Sequence, residues 1–152
     1  MNIKGNAVVL TNGKFNSKSA KTAHGLIRGS KRFNVVAVID SSFSEKYVHI
    51  DTNGKIDLLD SVSDIPIFKD INSFLQSSLK VDYCIIGVAS AGGLLPDKMR
   101  GDVILSLKNG ISIINGLHSI LNEDEELVKI SNQNNSEIFD IRASRPRNEL
   151  SF

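Results

Sequence analysis

Four short apolar runs constrain this chain more than any other feature: residues 7–10, 33–39, 81–88 and 111–114. Each is rich in β-branched residues and continuous instead of alternating, which is the pattern of a strand buried on both faces. The segments between them carry helical spacing. Strands that alternate with helices and are apolar on both sides predict an α/β domain, with a mostly parallel sheet and helices on both faces.

The remaining punctuation fits that plan. Residues 20–29 read as a helix closed by Gly29, and the segments 46–50 and 55–59 flank Asn53-Gly54, a strong turn signal. That region is either a small hairpin or one strand followed by loop. Residues 65–68 read as a further strand, and Asp70 caps a helix expected to reach residue 79. A glycine-bearing loop over 89–95 precedes Pro96, which is placed to open a helix that Gly110 stops. A short helix over 116–121, another over 123–132 and a last strand over 137–141 complete the periodic part. Residues 142–152 lose all periodicity and read as a linker.

Composition narrows the functional classes. With 152 residues, 41% apolar, and a formal charge of +1, the chain has the makings of one ordinary domain. The near-neutral charge, few aromatics and lack of Trp argue against a nucleic-acid surface. No apolar run is long enough to span a membrane and the start has no signal-peptide core, so the expected location is cytoplasmic. The lone Cys84 sits inside an apolar run and reads as a buried strand residue.

The candidate site begins at residues 11–28, TNGKFNSKSAKTAHGLIR, which run from the first strand into the first helix. A helix N-terminus after a lysine-bearing loop suits an anion, because unpaired backbone N–H groups and the helix dipole both favour negative charge. On the helix, Ala20, Ala23, Leu26 and Ile27 share a core-facing arc, while Ser17, Lys21, His24 and Arg28 share the opposite one. That polar arc is either ligand-binding or simply solvated. In a parallel sheet, ligands bind beyond the carboxyl ends of the strands, where strand order reverses. Loops from those ends would bring Lys14, Lys18 and Lys21, then Asp40, then Ser90, Gly92 and Gly93, and finally His118. Asp40 could hold a ribose hydroxyl, the mark of a nicotinamide dinucleotide site. The first loop, however, has only Gly13 and no G-x-G-x-x-G, and no phosphate-gripping P-loop is present. A carboxylate, a phosphate or an acyl-carrier phosphate met by lysine charge fits better. No zinc pattern, paired catalytic carboxylates or Ser/His/Asp signature stands out, so no metal is expected.

The segments AKTAHGLIRGSKRFNVVAVID, IIGVASAGGLLPDKMR, GISIINGLHSILNEDEEL and IFDIR resemble the N-terminal domain of the DUF1611 family, over residues 6–142. The resemblance implies a Rossmann-like domain over residues 1–142, with 143–152 a linker or the start of a C-terminal P-loop domain that longer members carry. Some members are assigned as N-acetyltransferases of D-glutamate. The implied function is therefore the substrate-binding domain of a two-domain enzyme, acting on an anionic small molecule, with acetyl-CoA a candidate donor for the full-length protein. Lys21 and Arg28 would bind anionic groups, Ser90, Gly92 and Gly93 would offer backbone donors, and His24 or His118 would serve as acid or base. Two alternatives stay open: a non-catalytic metabolite-sensing or dimerising module, and an NAD(P)-binding oxidoreductase-like domain. Self-association into a homo-oligomer is likewise left open.

Overall fold

The computed structural model describes residues 3–142. They form an eight-stranded sheet in the order β4-β3-β5-β2-β1-β6-β7-β8. Six strands are parallel: β1 (Gly5–Leu10), β2 (Phe33–Ile39), β5 (Ile65–Phe68), β6 (Tyr83–Ile86), β7 (Ser112–Asn115) and β8 (Ile138–Asp140). The other two, β3 (Tyr47–Ile50) and β4 (Ile56–Leu59), make an antiparallel hairpin at the β5 edge. The Asn53-Gly54 region is thus a hairpin turn, with Gly54 at φ 82°. The chain builds outward from β1 through β2 to β5, then returns to lay β6 against the other side of β1 and proceeds the opposite way. Strand order therefore reverses between β1 and β6, where Leu10 pairs with Ile86.

The pleat sends alternate residues of β1 into two separate cores. Val8 and Leu10 face the side covered by α2 (Ile71–Leu75), α3 (Asp97–Lys108) and α4 (Glu125–Gln133), where they meet Met99, Val103, Leu107 and Leu127. Ala7 and Val9 face α1 (Lys21–Arg28) and the hairpin, meeting Ala23, Ile27 and Val48. Each large side chain removed from water in this way is worth about 1.5–3 kcal/mol. One close approach sets where α1 starts. A Cβ on Gly87 would lie 2.3 Å from Val9 Cγ1 and 3.1 Å from Ala23 Cβ, so only glycine lets α1 settle this near the end of β6.

Three boundaries differ from the sequence reading. The apolar run 81–88 yields a strand only over Tyr83–Ile86, because Gly87 donates to the Leu10 carbonyl as the chain turns away over the sheet edge. Helix α2 ends at Leu75, where Gln76 and Ser77 bond back to Ser73 and Phe74 in the tighter pattern that closes a helix. No helix forms over 116–121. That stretch is a loop followed by a 3-10 turn, Leu121–Glu123, and Asp124 caps α4 by accepting from Leu127. The expected linker, residues 143–152, lies outside the described residues. No helix among the described residues is long and apolar enough to cross a membrane.

Candidate functional site

The carboxyl ends of β6 and β7, beside the reversal point, open into a cavity of about 270 Å³. Its walls include Thr22 from the first turn of α1, Val88, Ser90 and Gly93 from the β6 loop, Leu117 and His118 from the β7 loop, and Arg142 just past β8. The β7 loop is held by buried polar groups. The Asn115 amide oxygen accepts from Leu117 N at 3.0 Å, while its NH₂ donates to the Ser119 carbonyl and to Asp140. Asp140, also buried, accepts from Leu121 N, Asn122 N and both side-chain amides, of Asn115 and Asn122. A carboxylate with that many N–H donors is a rigid anchor, and it fixes the turn from which His118 projects.

The two loops are joined. Ser119 N donates to the Gly93 carbonyl at 2.9 Å, and a Cβ on Gly93 would fall 2.6 Å from His118 Cβ. Gly93 also sits at φ 70°, in the left-handed region that glycine adopts freely. Loop and histidine thus pack backbone to side chain, with the exposed His118 ring on the cavity wall. On the opposite wall Arg142 Nε donates to the Gly116 carbonyl, which orients the guanidinium while leaving its two NH₂ groups for a ligand. It has no ion-pair partner. The cavity therefore holds a fixed cation, an imidazole and two hydroxyl groups over an apolar floor.

The structure brings together only part of the expected set. His118, Ser90 and Gly93 line the cavity. Gly92 belongs to the same loop, at φ 66°, but contributes no wall, and the Ser90 hydroxyl already donates to the Leu94 carbonyl. Lys14, Lys18 and Lys21 are exposed on the neighbouring loop and do not line this cavity. His24 turns to its own loop: its Nε2 bonds the Phe15 carbonyl, which can only accept, so Nε2 carries the hydrogen, and the two rings stack edge-on at 5.0 Å. Arg28 lies at the far end of α1, where its Nε donates to the Gly54 carbonyl of the hairpin turn at 2.8 Å. Asp40 is buried, and it accepts from Thr11 Oγ1, Phe15 N and Ser42 N. The carboxylate that could have held a ribose instead folds the β1 loop onto β2. Three contributors escaped the sequence reading: Thr22, Gly87 and Arg142. Arg142 was legible as the first residue beyond an apolar strand, the same position that marks the other site loops.

Residues 51–144 match the family model described as the domain of unknown function DUF1611_N, a Rossmann-like domain. The chain belongs to this family. A solved structure of a DUF1611 family protein from Anabaena variabilis superposes with a TM-score of 0.75 at 26% identity, over 95% of this chain and 38% of that one. A D-glutamate N-acetyltransferase from Pseudoalteromonas is 36% identical over 58 residues, which is 38% of this chain and 18% of that protein. This DUF1611_N chain thus spans well under half the length of either relative.

Proposed function

We propose that this domain binds the amino-acid acceptor of an N-acyltransferase, an acidic amino acid of the D-glutamate kind. The observation that carries the reading is Arg142, an ion-pair-free guanidinium held by Gly116 at the wall of a small cavity that also presents His118. A planar guanidinium matches a carboxylate in a way a lysine does not. At about 270 Å³ the cavity is at the lower end for ligand sites; it suits an amino acid and is too small for a nucleotide-bearing acyl donor such as acetyl-CoA. The partial match to a D-glutamate N-acetyltransferase supports the same substrate class.

The chemistry assigns the groups distinct tasks. Arg142 pairs with a carboxylate of the acceptor, and the Thr22 and Ser90 hydroxyls border the remaining polar atoms. An ammonium group is not a nucleophile, so His118 would remove its proton before the amine attacks an acyl thioester. The new N–C bond forms as the C–S bond breaks, and the thiolate leaves with a proton. His24 and Arg28, engaged elsewhere, take no part in this reading.

Calorimetric titration of the chain with D-glutamate tests it. Binding to the parent and loss of about tenfold or more in Arg142→Gln, the effect of about 1.5–3 kcal/mol for a charged hydrogen bond, would support the assignment. Equal affinity in the two proteins would refute it.

A further inference from the structure

A second cavity, of about 520 Å³, opens on the same carboxyl edge but across β1, between the ends of β1 and β2 and the first half of α3. Its floor is apolar, made by Leu10, Ile39, Met99 and Leu105. Its rim carries both signs of charge. Lys69 and Lys98 are exposed and in no ion pair, while Asp70 and Asp102 each spend one oxygen on the N-terminal backbone of α2, accepting from Ser73 and Ile71, and keep the other.

Gly101 supplies a separate indication. It stands in the interior of α3, where glycine costs about 1 kcal/mol relative to alanine. Its φ is not in the left-handed region, and a Cβ there would meet nothing within 4 Å. Nothing in the protein requires glycine at this position. It lines the cavity, so the bare backbone keeps space open against the helix. A simple anion would meet the two aspartates, a polyamine would meet the two lysines, and an aliphatic acid would use neither carboxylate. A flat ring with an amine at one end and a phosphate at the other satisfies the floor and both rims.

We propose that this cavity binds a phosphorylated nucleoside, its base over the apolar floor against Gly101 and its phosphate between Lys69 and Lys98. The ligand and the residues differ from those of the acceptor cavity, so either assignment can fail alone. AMP and adenosine serve as probes, titrated into the ¹⁵N-labelled chain. The expected result is saturable AMP binding that shifts the Asn12, Met99 and Gly101 amides, weakens roughly tenfold in Lys69→Ala/Lys98→Ala, and is unaffected by Arg142→Gln. Adenosine, lacking phosphate, should be indifferent to the lysine changes. Gly101→Leu should abolish binding of both, whereas Gly25→Ala in α1, another helical glycine with open space around it, should leave binding intact. The proposal is overturned by no saturable AMP binding, by shifts confined to the Gly93 and Gly116 loops, or by AMP affinity that survives both lysine substitutions. Should Gly101→Leu fail to fold, the lysine pair still decides.

Discussion

At residue scale, Gly93 does two things that any other side chain would prevent. It adopts φ 70°, and it leaves room for His118, whose Cβ a substituent would approach to 2.6 Å. Gly93→Ala should therefore lower stability by about 1–3 kcal/mol, readable in a denaturant melt, and displace the His118 resonances. A melt and spectrum that match the parent would show that the two loops are not joined as described. Arg28 illustrates what helical spacing can and cannot reveal. Its place on the polar arc of α1 was readable from the sequence, but its partner is the carbonyl of Gly54, on a turn that only the hairpin's fold-back brings near. His118 was readable for a different reason: chain direction alone puts a loop after an apolar strand at the carboxyl edge.

Elements show the same division. The strands were legible because burial on two faces demands unbroken apolar runs, and the run 33–39 became β2 without change. The helix expected over 116–121 was not, because its backbone donors are taken by Asn115 and by Asp140, a residue far along the chain. A comparable long-range contact ties α3 to α4. Arg100 donates to both oxygens of Asp124, at 2.7 and 3.0 Å, and to Glu126 at 2.7 Å, while Asp124 also caps α4. The guanidinium holds the Asp124 carboxyl below the usual range and is itself raised in return. Because the folded pKa is depressed, the stabilisation is fully present above the unfolded value of about 3.9 and is lost as pH falls through the folded value. Asp124→Asn should thus lower stability at neutral pH by about 1–2 kcal/mol, allowing for partial exposure of the pair. It should also flatten the acid limb of the stability curve below pH about 4. An acid limb as steep as the parent's would place the titrating group elsewhere.

For the whole molecule, Cys84 offers a measure of cooperativity. It lies at the centre of the sheet on β6, fully buried, and burial pushes its thiol up to about 12. A thiol reagent needs thiolate and access, so modification should follow global opening and slow in step with stability across the Gly93 and Asp124 variants. Labelling much faster than unfolding would reveal a local opening of the sheet. The acceptor cavity has its own dependence on the whole fold. Thr22 comes from the first helix and Arg142 from the last described residue, yet both border the same space. A molecule seated there would bridge the two extremes of the described chain, acting as a reversible crosslink. It would raise the melting temperature as its concentration rises above the dissociation constant, and it would slow hydrogen exchange at both ends of the domain together.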